Sequence, residues 1–148
     1  KRFIKANIEP YKMDIENVLE FGCGPGPVLA ELLRREGYEV DIYDPYFAPE
    51  RIYENKKYDL ITSTEVFEHL KNPLETIKLL KAHLNEGGIL VIMTLFHPRD
   101  EEQFKKWWYR RDVTHISFYT PETFRLIASM FDMKVLKIDN KNVCILQK

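Results

Sequence analysis

The sequence has 148 residues, which is long enough for one domain with a substantial buried core. Its 45% hydrophobic and 30% charged residues are typical of a soluble globular protein, and no apolar segment has the length needed to cross a bilayer. The formal net charge of −1 gives no general attraction to polyanions, so we expect neither nucleic acid nor membrane among its partners.

The two cysteines, Cys23 and Cys144, do not have the spacing of a metal-binding pair, and a reduced, cytoplasmic protein is expected. No repeat, low-complexity tract or linker divides the chain, so residues 1–148 are expected to form one domain. Because the sequence begins with Lys1 rather than methionine, it can lack an N-terminal extension that covers the substrate site. A homodimer is allowed, although nothing in the sequence requires one.

Strand-like and helix-like segments alternate along the chain. The predicted strands are 18–21, 38–43, 58–62, 89–95, 134–139 and 143–147. The predicted helices are 28–36, the segment from Pro73 to the glycine pair at 87–88, and 122–131. This alternation predicts a mainly parallel sheet with helices on both faces, and the short connection at 140–142 predicts an antiparallel hairpin at its end.

The most informative segment runs from 18 to 27, where an apolar strand contains Glu20 near its end and is followed by Gly22, Gly24 and Gly26. Alternating glycines let a backbone approach a ligand closely, and the helix that follows presents free N–H groups. A dinucleotide fingerprint needs a third glycine where this chain has Pro27, and the Glu20 carboxylate would repel a pyrophosphate. The pattern therefore favours a ligand that carries a positive charge.

This segment resembles the glycine loop of the class I S-adenosylmethionine (SAM) dependent methyltransferases, whose Rossmann-like sheet is mostly parallel with a C-terminal antiparallel hairpin. The resemblance implies SAM as the cofactor, with its methionine end at the glycine loop and its ribose on Asp44. Asp44 could instead be an ordinary loop carboxylate in an Asp-Pro turn. The expected cofactor-binding residues are Glu20, Phe21, Gly22, Cys23, Gly24, Gly26, Asp44, Pro45, Thr64 and Glu65.

The chain departs from this family after the second strand. Only residues 45–57 precede the next predicted strand, which is too few for a helix, an extra strand and a second helix. We therefore expect one strand–helix unit to be shortened or missing there, with a consequence for the adenine pocket rather than for the fold.

Residues 64–70 follow the central strand and resemble the E-V-x-E-H stretch of quinone-biosynthesis O-methyltransferases. If the segment is helical, Glu65, Glu68 and His69 share one face. They could then hold a divalent metal, His69 could act as a base, or the three could simply brace the cofactor pocket. We expect no metal, because three convergent ligands on one helical turn are often structural.

Residues 97–119 contain both tryptophans and a dense run of aromatic and charged side chains. The segment leaves a central strand at the carboxyl edge, so we expect it to present the acceptor. The predicted catalytic residues are His115, Tyr119, His69 and Asp112, with Asp112 orienting the proton acceptor. The alternative is that these side chains pack under and brace a long loop.

Residues 110–119 also look like a block of a bacterial methyltransferase-like group. The expected function is a SAM-dependent methyltransferase that acts on a small acceptor, aromatic or anionic, through an oxygen atom. Four cations at 105, 106, 110 and 111 could touch RNA, but nearby acids offset them. A SAM-binding module without its own activity is the alternative, and Pro27 makes a nicotinamide-dependent oxidoreductase remote.

Overall fold

The computed structural model describes the backbone of residues 1–148 and the side chains of residues 1–11 and 15–148. The strands are β1 (Asn17–Phe21), β2 (Glu39–Tyr43), β3 (Tyr58–Thr64), β4 (Leu84–Met93), β5 (Lys134–Ile138) and β6 (Val143–Gln147). The α-helices are α1 (Arg2–Asn7), α2 (Val28–Arg35), α3 (Pro73–Ala82), α4 (Glu101–Lys106) and α5 (Pro121–Met130). Shorter 3-10 helices span Glu9–Asp14, Phe67–His69 and Trp108–Arg111. No described helix has the length and apolar character that a membrane span requires.

The six strands form one sheet in the order β2-β1-β3-β4-β6-β5. The pairs β1–β2, β1–β3 and β3–β4 are parallel, whereas β6 is antiparallel to both β4 and β5. The predicted fold class, a mostly parallel sheet with a C-terminal antiparallel hairpin, is therefore confirmed.

The connection from β2 to β3 is short, as predicted. Among the described residues it contains only turns and an isolated bridge between Asp44 and Ala48. The missing strand–helix unit leaves β2 as one edge of the sheet.

Helices cover both faces of the sheet because successive strand residues point to opposite sides. Under α1 and α2 the buried core includes Ile4, Val18, Leu33, Leu60, Val91 and Ile145. Under α3 and α5 it includes Leu19, Ile61, Ile77, Leu90, Phe124 and Leu146. Each fully buried aliphatic side chain stabilises the fold by about 1.5–3 kcal/mol.

Several elements differ from the sequence-based predictions, and β4 and α1 are two of them. Strand β4 begins at Leu84, before the glycine pair that was expected to end the preceding helix. Gly87 adopts φ 77°, and the pairing of β3 with β4 shifts register between Tyr58 and Leu60, so the extra residues are accommodated inside the strand. Helix α1 was not predicted, because six residues are too few for a helical pattern to be visible.

Candidate active site

The carboxyl ends of β1 to β4 meet at one edge of the sheet, which is where open α/β sheets bind ligands. Two cavities open at this edge, with volumes of about 470 and 760 Å³. Gly22, Gly24 and Glu65 line both cavities. These residues therefore lie between the two spaces, and a ligand that fills both would pass over them.

The glycine loop between β1 and α2 holds a conformation that only glycine adopts easily. Gly22 has φ 85° and Gly24 has φ 64°, both in the left-handed region. A Cβ atom placed on Gly22 would lie 2.2 Å from Cγ2 of Val66. At Gly24 and Gly26 a Cβ atom would meet nothing within 4 Å, so that part of the loop is open. Val66 thus leaves no space for a side chain at Gly22, whereas Gly24 and Gly26 have open space beside them.

Glu20 is buried at the end of β1, with 4% of its surface exposed, and it lines the smaller cavity. Its Oε2 accepts a hydrogen bond from the N–H of Ala30 in the first turn of α2, at 2.9 Å. Burial raises the pKa of this carboxyl group to about 7, although the Ala30 bond works in the opposite direction. A cationic group entering the cavity would favour its ionised form.

Asp44 follows β2 and ties the glycine loop to the next turn. Its Oδ2 accepts the N–H of Gly24 at 3.0 Å, and its Oδ1 accepts the N–H groups of Tyr46 and Phe47 at 2.9 and 3.1 Å. Both oxygens therefore have a structural role, which the Asp-Pro turn interpretation anticipated. Asp44 and Pro45 also line the larger cavity, so the expected ribose contact stays a prediction.

The other expected cofactor residues divide between the two cavities. Cys23 and Thr64 line the smaller one, and Phe21 lines the larger one. Burial raises the pKa of the Cys23 thiol, which keeps it protonated and unreactive.

Sequence reasoning missed several residues that line the cavities. Tyr46 and Phe47, both exposed, lie at the mouth of the larger one. Their position directly after the Asp44-Pro45 pair was the signal that could have identified them. Phe3 and Ile4 of α1 line the smaller one, but nothing in the sequence pattern connected these residues with the glycine loop.

The segment after β3 is not the continuous helix that would place Glu65, Glu68 and His69 on one face. Glu65 has φ 55°, which breaks the helix, and only Phe67–His69 form a 3-10 turn. The Oε2 of Glu65 accepts the hydroxyl of Tyr109 at 3.1 Å. Burial, followed by the nearby carboxyl group of Glu68, raises the pKa of Glu65 to about 7.

Three of the four predicted catalytic residues come together at this edge. The rings of His69 and His115 lie 4.8 Å apart between centroids. Oδ2 of Asp112 lies 3.8 Å from Nε2 of His115, while Oδ1 accepts the amide and hydroxyl of Thr114. Glu68 belongs to the same group, because its ligand atom and one nitrogen of each histidine all lie within 4.8 Å of one another.

Tyr119 does not join this group. Its ring is buried and stacks on Phe124, and its hydroxyl donates to the carbonyl of Phe67 at 2.8 Å. Burial raises the pKa of this hydroxyl to about 12. The structure therefore does not support the predicted role of Tyr119 in proton transfer, and the residue packs the core instead.

The two tryptophans of segment 97–119 have different environments. Trp107 packs against Phe104, Tyr109 and Phe118. Trp108 is 67% exposed on the surface. Trp107 thus fits the interpretation that these side chains brace the loop, whereas Trp108 is accessible to a ligand.

A family model described as a methyltransferase domain matches residues 2–138. The chain belongs to this family. Its cofactor is SAM, as the glycine loop implied. The residues fit that group, because the open glycine loop, the buried Glu20 and the acid Asp44 surround spaces large enough for it.

Solved structures of methyltransferases share the fold. A SAM-dependent methyltransferase from Archaeoglobus fulgidus superposes with a TM-score of 0.69 at 19% identity, covering 99% of this chain and 94% of that chain. Magnesium protoporphyrin IX methyltransferase from Synechocystis PCC 6803, with bound SAH, superposes with a TM-score of 0.68 at 15% identity, covering 99% and 80%.

Curated relatives correct one expectation. The chain is 29% identical over 127 residues to a tRNA U34 carboxymethyltransferase of Nautilia profundicola, covering 69% of this chain and 42% of the relative. A protein with the same name from Campylobacter fetus is 30% identical over 125 residues, covering 68% and 44%. The chain thus spans less than half the length of these relatives. The expectation that excluded nucleic acid is wrong, because net charge does not describe local surfaces and these relatives are named for a tRNA substrate.

Proposed function

We propose that this chain transfers the methyl group of SAM to an oxygen acceptor carried by a tRNA. The observation that carries the proposal is the cradle formed by the open glycine loop, the buried Glu20 and Asp44 at the carboxyl edge of the sheet. The tRNA acceptor comes from the names of the curated relatives. The oxygen atom is the sequence-based expectation carried forward.

SAM supplies a methyl group on a positively charged sulfur, which an acceptor oxygen can attack in line. The protein has to align the two partners and exclude water. Glu20 faces the methionine end, and Asp44 holds the ribose while it fixes Gly24. Glu65 lies between the two cavities, where donor and acceptor would meet.

The charges around the cavities favour a methyl group rather than the carboxymethyl group of the relatives' name. Glu20, Asp44 and Glu65 line these spaces, and Lys1 is the one lysine or arginine among the described lining residues. An additional carboxylate on the donor would meet three acidic groups with little compensation. The donor that fits is therefore SAM itself.

The surface of segment 97–119 suits an RNA. Trp108 offers an exposed aromatic face on which a base can stack. Lys106 and Arg111 are exposed, and no ion pair within the described part of the chain includes them. Tyr109, which follows Trp108, reaches Glu65, so this surface adjoins the proposed reaction centre.

A small aromatic acceptor is the second candidate. Tyr43, Tyr46, Phe47 and Leu70 are among the residues that line the larger cavity, whose volume is about 760 Å³. Apolar cavities of several hundred Å³ are typical small-molecule sites.

The test uses SAM labelled in its methyl group, the purified chain, and either bulk tRNA or a panel of phenols and quinols. We expect label in the tRNA fraction, and we expect Asp44→Ala to weaken SAM binding about tenfold or more, equivalent to about 1.4 kcal/mol. Asp41→Asn is the matched control, because Asp41 lies on β2, three residues before Asp44, but pairs with Lys56 and Tyr58 away from both cavities. Binding is measured by titration calorimetry.

Each outcome decides between the candidates. Label in phenols but not in tRNA would replace the tRNA acceptor with a small molecule. SAM binding without transfer to any acceptor would indicate a binding module without independent activity. Unchanged SAM affinity in Asp44→Ala would remove the ribose assignment.

A further inference from the structure

Glu68 is completely buried and only half satisfied. Its Oε2 accepts the hydroxyl of Thr94 at 2.9 Å, whereas its Oε1 has no hydrogen-bond partner among the described residues. A buried carboxylate oxygen without a partner costs free energy unless a cation or proton reaches it. Two partners can satisfy it: the proton of the neighbouring Glu65 carboxyl group, which is in hydrogen-bond contact with Glu68, or a cation.

When they are neutral, the two neighbouring histidines cannot donate a hydrogen bond to Oε1 of Glu68. Nδ1 of His69 faces the carbonyl of Thr114 at 3.0 Å, and Nδ1 of His115 faces the carbonyl of Tyr109 at 2.7 Å. A carbonyl oxygen only accepts, so in each neutral ring Nδ1 carries the proton and Nε2 keeps the lone pair. Nε2 of His69 lies 3.9 Å from Oε1 of Glu68.

Although the sequence alone led us to expect no metal, we infer that Glu68, His69 and His115 form a binding site for a divalent metal, with zinc as the best-fitting ion. One possible ligand atom of each residue lies within 4.8 Å of the other two, so one cation can bind all three after small side-chain adjustments. Zinc accepts two imidazoles and one carboxylate and can keep a fourth position open, whereas magnesium prefers oxygen ligands. The inference is independent of the proposed acceptor.

Hydrogen bonds to backbone carbonyls already orient the two histidine ligands. Metal-binding histidines usually donate their second N–H to a carbonyl or carboxylate, as both of these do. Zinc bonds of about 2.0–2.2 Å place tetrahedral ligand atoms about 3.4 Å apart. The described atoms lie within 4.8 Å of one another, so modest side-chain rotations close the site around an ion.

The position of the metal site indicates what a bound ion would do. Glu68 and His69 follow β3, whereas His115 comes from segment 97–119, so a bound ion would fasten that segment to the sheet edge. His69 also lines the larger cavity, which places the open coordination position where an acceptor oxygen could reach it. The site thus joins the acceptor-facing segment to the cofactor edge.

The test titrates Zn²⁺ and Co²⁺ into tag-free, metal-stripped protein. We expect one equivalent of zinc, and we expect cobalt to give the visible absorption of a tetrahedral nitrogen–oxygen site. His69→Asn should weaken zinc binding at least tenfold without unfolding the chain, because the side chain of His69 is 41% exposed. His115→Asn should have the same effect through a ligand on the other segment.

His83→Asn is the matched control. Nδ1 of His83 also faces a backbone carbonyl, that of Lys56 at 3.1 Å, but His83 lies outside the three-residue group. Zinc affinity should be unchanged in this variant. The inference is overturned if the wild-type chain binds no zinc, or if His69→Asn and His115→Asn both bind it as tightly as the wild type.

Discussion

The carboxyl group of Glu20 faces the first turn of α2 on one side and the smaller cavity on the other. Burial holds its pKa near 7, so the empty protein keeps the group largely protonated below that pH. The methionine end of SAM carries a positive charge, which favours the ionised carboxylate. Binding and ionisation should therefore be linked.

We predict that the affinity for SAM rises with pH because of Glu20. The ionised fraction of a group with pKa about 7 increases about tenfold between pH 6 and pH 8. The ratio of the wild-type affinity to the Glu20→Gln affinity should increase by a similar factor. Titration of SAM itself affects both proteins equally and therefore cancels in this ratio. Calorimetry at three pH values measures this ratio, and a constant ratio would show that Glu20 does not face the cation.

The same group affects stability with a definite sign. Because the folded pKa of Glu20 lies above its unfolded value, its stabilising contribution is complete below about pH 4.3 and is lost as pH rises through about 7. The unfolding free energy of the wild type should therefore fall relative to Glu20→Gln over that interval.

Individual site residues could be predicted where the chain itself brings them together. Glu20, Gly22 and Gly24 are neighbours in sequence, and Asp44 ends the adjacent strand, so strand periodicity was enough to place them at one edge. The approach of His115 to His69 depends on the path of segment 97–119, which no local pattern reveals. The contact made by Tyr119 could not be predicted for the same reason, because only the fold shows that its hydroxyl donates to the Phe67 carbonyl.

Among the elements, the turn between β1 and α2 is the most constrained. Gly22 combines a left-handed φ of 85° with the close approach of Val66, and its N–H donates to the carbonyl of Tyr43 at 2.7 Å. The loop after β3 therefore packs directly on the glycine loop. Any side chain at this position would push the two loops apart.

We predict that Gly22→Ala lowers the unfolding free energy by about 2 kcal/mol or more, through backbone strain and the clash with Val66. Gly26→Ala is the control, since its Cβ meets nothing within 4 Å and its φ is not left-handed. The double variant Gly22→Ala/Val66→Ala should lose less unfolding free energy than the two single variants together, because the clash with the Val66 methyl group disappears. Urea unfolding measures all three, and wild-type stability in Gly22→Ala would contradict the packing described.

Long, periodic elements were predictable and irregular ones were not. Strand β6 has its predicted bounds, and α2 and α5 differ from the predictions by a residue at their ends. The condition that the segment after β3 is helical is not met, because the helical spacing of Glu65, Glu68 and His69 does not reveal the positive φ of Glu65. Backbone strain of this kind follows from tertiary packing, which a local pattern does not contain.

At the scale of the whole molecule, the fold follows from the alternation of strands and helices and from counting the residues between them. The short interval at 45–57 correctly indicated the missing unit, because a chain of that length cannot form a complete crossover. The contribution of α1 to the smaller cavity could not be predicted, since it depends on where that helix docks.

We predict that the chain holds its cofactor despite the missing unit. SAH at about one hundred times its Kd should add about 2.7 kcal/mol of stability, which corresponds to a rise in Tm of about 5–10 °C for a chain of this size. NAD at the same concentration should leave the Tm unchanged. Differential scanning calorimetry measures both, and no shift with SAH would mean that this stretch of chain does not bind the cofactor by itself.

The order of the last two strands has a consequence for synthesis on the ribosome. Strand β5 pairs only with β6, and β6 lies between β5 and β4. While residues 134–138 leave the exit tunnel they have no partner, and their place in the sheet is created only when residues 143–147 arrive. Folding therefore cannot proceed strictly from the N-terminus, and a pause in translation after β5 would leave an open strand exposed to chaperones.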